Sequence, residues 1–85
     1  MQNHLIIGVH LTNRFKQALE VQSLFTKYGC NIKTRIGLHD VMKDACSPSG
    51  IVVLEMFGEE TPCMEFMAKL KAIEGVDVQS MKFTH

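Results

Sequence analysis

The chain has 85 residues, with nine Lys and Arg against nine Asp and Glu and a formal net charge of zero. That length supports one domain, residues 1–85, around a single small core, and balanced charge with no long run of either sign excludes the footprint of a nucleic-acid backbone binder or of a protein held on an anionic membrane. No segment approaches the about 20 apolar residues of a membrane span, the N-terminus does not read as a signal peptide, and Cys30, Cys46 and Cys63, odd in number and without a CxxC pair, favour a reducing cytoplasm over a disulfide framework.

The first predicted strand is His4–Leu11, where Leu5, Ile7, Val9 and Leu11 alternate with His4, Ile6, Gly8 and His10 at the period of a half-buried strand. Thr12 or Asn13 caps a helix reaching Tyr28. Its apolar residues, Phe15, Ala18, Leu19, Val21, Leu24, Phe25 and Tyr28, cover more of the circumference than one sheet needs, so Leu24 and Tyr28 at the margin are positioned to meet a second subunit. Gly29 is expected to stop the helix in a left-handed conformation. In the second strand, Cys30–Leu38, the inward row is Ile32, Thr34, Ile36 and Leu38, with Lys33, Arg35, Gly37 and His39 outward. Val41–Gly50 is a long irregular connection containing Ser47-Pro48-Ser49-Gly50. The third strand, Ile51–Phe57, is apolar on both faces except at Glu55 and therefore central. Thr61 and Pro62 read as the N-cap and first position of a helix whose apolar face is Cys63, Met64, Phe66, Met67, Leu70 and Ile73, and which Gly75 ends. A last strand, Val76–Phe83, changes phase near Ser80, the mark of a bulge or of fraying.

Two strand–helix–strand halves in series give an α+β fold: a ferredoxin-like βαββαβ sandwich with a four-stranded antiparallel sheet and both helices on one face. In the usual order the first and third strands are central. Ile6 and Gly8, with Ile51, Val53 and Phe57, then decorate the face without helices. An exposed apolar patch marks an interface, so Ile6, Val53 and Phe57 are expected to join Leu24 and Tyr28 in forming a homodimer or higher homo-oligomer.

The run Tyr28-Gly29-Cys30-Asn31-Ile32, leading into Arg35-Ile36-Gly37-Leu38-His39-Asp40, resembles the ACT-like domains. Within them the chain is most similar to the small stand-alone iron-only hydrogenase system regulators, a family of candidate transcriptional regulators. Lys69-Leu70-Lys71-Ala72-Ile73-Glu74-Gly75, followed by Val76-Asp77-Val78, agrees, because that family opens its last strand on a Gly-Val pair. The resemblance implies a non-enzymatic regulatory or sensor domain that oligomerises and binds a small-molecule effector at a subunit interface. In an ACT-like dimer that cleft lies where the turn after the first strand meets the partner's second strand, which assigns Thr12, Asn13, Arg14, Gly37 and His39 to it. ACT domains that bind amino acids carry Pro-Gly in this turn, and this chain has Thr12-Asn13-Arg14. Asn13 as donor and acceptor, Arg14 as a bidentate carboxylate partner and Gly37 as open backbone would then hold the ligand; otherwise Asn13 caps the helix and Arg14 is solvated.

One alternative is a metal-binding domain like that of the nickel-responsive regulators, using His39 and Cys46 with His10 from a partner; imidazole and thiolate suit nickel, copper or zinc. His39 and Cys46 fall short of a closed ligand set, so no cofactor is expected. A second alternative is a purely structural association module. Cys46 and His39 lack an orienting group and an oxyanion hole, Cys30 and Cys63 read as small packing residues, and no Gly-rich phosphate loop is present, so catalysis is not expected. No nucleic-acid-binding module is recognisable, and regulation of transcription would need a separate DNA-binding partner.

Overall fold

The computed structural model describes residues 3–38 and 50–84. The elements run β1 (Asn3–Leu11), α1 (Arg14–Lys27), a 3-10 turn (Gly29–Asn31), β2 (Ile32–Leu38), β3 (Gly50–Met56), α2 (Glu60–Lys71) and β4 (Val76–Thr84). The strands form one antiparallel sheet in the order β2-β3-β1-β4, so β1 and β3 are central as expected. Both helices cover one face: Leu5, Ile7, Val9 and Leu11 of β1, with Leu54 and Met56 of β3, are buried in one core with Val21 and Phe25 of α1 and Cys63, Phe66, Met67 and Leu70 of α2. The alternation of β1 is what commits its odd-numbered residues to that core.

Four local expectations are corrected. Gly29 does not adopt a left-handed conformation; α1 runs on into the 3-10 turn, and the positive φ angles fall at Gly58 and Gly75. Helix α2 begins at Glu60, so Pro62 is third in the helix, still within the turn whose N–H groups have no helical partner. Strand β4 has no bulge, because its pairing with β1 runs unbroken from Asn3↔Thr84 to Leu11↔Val76. The change of phase at Ser80 is instead a change of face: Val78 is in the core, whereas Met81 and Phe83 lie on the uncovered side. The bulge is in β2, between Ile32 and Thr34. One extra residue there turns every later side chain over. Thr34 and Ile36 therefore stand on the open face opposite Glu55 and Val53, and Arg35 and Gly37 turn toward α1, the reverse of the row read from the sequence.

Helix α1 also differs from its expected stripe. Leu19 is 88% exposed, while Tyr28 is buried against Phe66 at a ring-centroid distance of 5.2 Å. Tyr28 therefore belongs to the core of its own chain and does not widen an outer stripe. Leu24 stays half-buried beside it.

Candidate functional site

Three surfaces bring together residues singled out by the sequence. The first lies where β1 enters α1. Asn13 is the N-cap, its Oδ1 accepting from the Lys16 N–H at 3.3 Å. Its own N–H donates to Oε1 of Gln17 at 3.1 Å, so cap and helix satisfy each other reciprocally. Gln17 is a buried polar side chain whose Nε2 donates to the Glu74 carbonyl at 2.9 Å. Thr12 donates from Oγ1 to the Gly75 carbonyl at 2.7 Å. These bonds staple the start of α1 to the turn between α2 and β4. Thr12 and Asn13 border a hollow of about 380 Å³ that also takes in Lys16, Glu20 and Glu74. The capping role expected as the alternative for Asn13 is thus its role within the chain.

Gly75 shows why the staple needs this residue. Its φ is +80°, and an added Cβ would collide with Gln17 Nε2 and sit 3.0 Å from Thr12 Oγ1. Gly75→Ala is expected to cost about 2–3 kcal/mol, combining left-handed strain with a displaced buried amide. Urea unfolding measures this, and a loss below about 0.5 kcal/mol would show that the turn relaxes freely.

The second surface is a cleft of about 440 Å³ between α1 and the β2–β3 strands, lined by Leu11, Ala18, Val21, Gln22, Phe25, Arg35, Gly37, Gly50, Ile51 and Val52. The Arg35 guanidinium lies over the Phe25 ring at 4.7 Å. Gly37 is in this cleft and not in the hollow of Thr12 and Asn13, so one chain does not unite these expected site residues. Arg14 is the first residue of α1, and its side chain lies outside what is described. His39 and Cys46 lie outside the described residues. His10 stands on the open sheet face, paired across strands with Ile51 and Asp77. Among the described residues, no three His, Cys, Asp or Glu side chains gather as a metal would need.

The third surface is the open face of the sheet. Ile6 and Val53 are half-buried, and Ile36, Met81 and Phe83 are 52%, 57% and 53% exposed. Ile36 pairs with Val53 and Ile6 with Met81, so an apolar band crosses all four strands diagonally. Gly8, between Val53 and Gln79, leaves a hollow of about 230 Å³ in that band. Phe57 is exposed just beyond β3. At the edge of the band Glu55 accepts from Thr34 Oγ1 at 2.8 Å and contacts His4 Nε2 at 2.6 Å.

The Thr34 hydroxyl first, and the His4 ring second, hold the Glu55 carboxyl below the ordinary glutamate value of 4.5. A lowered folded value means that the charged form is favoured by folding. Its contribution is present above the unfolded value and is lost as the pH falls through the folded one. Glu55→Gln is therefore expected to flatten the loss of stability between about pH 5 and pH 3. Melting temperatures across that window check it, and equal slopes for parent and variant would refute it.

The two described cysteines differ in exposure. Cys63 is buried, its Sγ donates to the Phe57 carbonyl at 3.7 Å, and burial pushes its thiol up. Cys30 is exposed on the 3-10 turn rather than packed. No helix among the described residues is long and apolar enough to cross a membrane.

Neither a protein-family model nor a curated protein matches this chain. Solved structures do. An uncharacterised protein from Thermotoga maritima aligns over 93% of this chain and 94% of its own, with a TM-score of 0.80 and 20% identity. The ACT domain of a GTP pyrophosphokinase from Chlorobium tepidum aligns over 95% and 89%, with a TM-score of 0.67 and 17% identity. A nitrogen regulatory PII-like protein from Thiomonas intermedia K12, solved with ADP, AMP and bicarbonate, aligns over 98% and 90%, with a TM-score of 0.53 and 14% identity. Identities this low carry the fold alone, and that fold is ACT-like and ferredoxin-like, as the sequence resemblance implied.

Proposed function

We propose that this chain is a non-enzymatic, cytoplasmic regulatory module that works as a homo-oligomer and responds to a small-molecule effector, in the manner of the hydrogenase system regulators it resembles. The apolar band on the open sheet face is the observation that carries the reading. Leaving Ile6, Ile36, Val53, Met81 and Phe83 partly in water forfeits about 25 cal/mol for each Å² of apolar surface, which a partner would recover. A second copy is the partner that fits. A two-fold interface sets one patch against itself, and this patch carries both protruding side chains, Met81 and Phe83, and the hollow over Gly8 that could receive one. An effector preferring one association state would shift the population toward it, which is all that regulation requires. Control of transcription would pass through a separate DNA-binding protein. The test joins two measurements on the purified chain: light scattering for mass and thermal shift against amino acids and small carboxylates. A monomer at high micromolar concentration, with no stabilising ligand, would overturn the reading.

A further inference from the structure

The cleft between α1 and the β2–β3 strands has the parts of a ligand site. Its walls are apolar: Leu11 and Val21 are buried, and Val52 packs against the core. Its floor is open, because among the described residues a Cβ at Gly37 or at Gly50 would meet nothing within 4 Å. A volume of about 440 Å³ is in the range of small-molecule pockets. Arg35 stands at one side with its guanidinium over the Phe25 ring. Stacking fixes the plane of the guanidinium and leaves its edge N–H groups free to fork onto a carboxylate. Among the described residues no carboxylate is paired with Arg35; the ion pairs join His4 to Glu55 and Lys82 to Glu60.

We propose that this cleft binds a small carboxylic acid with an apolar body and no α-amino group, the carboxylate on Arg35 and the body over Gly37 and Gly50. Among the described residues lining the cleft there is no Asp or Glu, so an α-ammonium group would find no partner among them and would be desolvated at a cost. That selects a simple or 2-oxo acid over the corresponding amino acid. The site deepens the effector reading and rests on it for the consequence of binding, while the binding itself needs one chain only.

Calorimetric titration of the full chain with 3-phenylpropanoate, 3-phenylpropan-1-ol and phenylalanine tests this. The carboxylate is expected to bind at least about tenfold more tightly than the alcohol or the amino acid, the scale of one charge-assisted pair. Arg35→Gln should erase that preference, and Gly37→Leu, which fills the floor, should abolish binding of all three. Circular dichroism checks that Gly37→Leu folds; if it does not, Arg35→Gln decides alone. No binding of 3-phenylpropanoate to the parent, equal affinity for the alcohol, or an Arg35→Gln variant that binds as the parent does would overturn the proposal. Light scattering on the same samples reads association separately, so failure of the cleft and failure of the oligomer are distinguishable.

Discussion

Phe66→Ala is expected to lower the stability of the chain by about 3–5 kcal/mol, among the largest effects a single truncation can have here. Phe66 has no exposed surface. Its ring centroid is 6.0 Å from that of Phe25 in an edge-on arrangement and 5.2 Å from that of Tyr28, so α2 meets α1 through one aromatic cluster. Removing the central ring withdraws the partner of two others at once, and the sheet beneath cannot move up to refill the space. Natural domains keep only about 5–15 kcal/mol in total, so this loss approaches the whole margin. Phe83→Ala is the contrast. Phe83 is half-exposed on the open face, and its loss should leave the single chain within about 0.5 kcal/mol of the parent. Urea unfolding of both variants, at concentrations low enough to favour the monomer, makes the comparison. A Phe66→Ala loss below about 1.5 kcal/mol would mean that the cluster is not the keystone of the core.

What the sequence disclosed was period, and what it hid was phase. β1 keeps one alternation throughout, so its core row was legible. β2 alternates just as plainly, yet the bulge near Lys33 reverses its faces, and nothing in the composition of Ile32-Lys33-Thr34 marks an extra residue. The alternation therefore assigns Ile36 to the core and Arg35 to solvent, and it conceals the cleft containing Arg35 and Gly37. At β4 the opposite happened: the visible change of phase was a true change of face. Gln17 gives no signal of its own, because a glutamine in a helix reads as solvated; its burial depends on Gly75, remote in sequence, whose missing side chain makes the room. Tyr28 sat at the margin of an ideal helical wheel, but the approach of α2 closes that margin and buries the ring. In each case a bulge or a tertiary contact overrides a local pattern that is genuine in the sequence.

Val53→Lys is expected to convert the proposed homo-oligomer to monomer. Val53 lies at the middle of the open-face band, with Ile36 and Gly8 as its cross-strand neighbours. A two-fold contact would desolvate the introduced ammonium twice, once from each copy, and the carboxylate nearest along the same face, Glu55, is already engaged by Thr34 and His4. Several kcal/mol per buried ion is the usual penalty, and every 1.4 kcal/mol is about tenfold in the dissociation constant, so association should fall by at least about a thousandfold. The single chain should tolerate the change, because in the monomer the side chain reaches water. Leu24→Glu separates the open face from the other expected surface. Leu24 borders a shallow hollow between α1 and α2 with Lys69 and Ile73, on the far side of the sheet from Val53. Light scattering should give the parent mass for Leu24→Glu and half of it or less for Val53→Lys. The reverse result would move the interface to the helices, and a parent already monomeric at high micromolar concentration would remove it altogether.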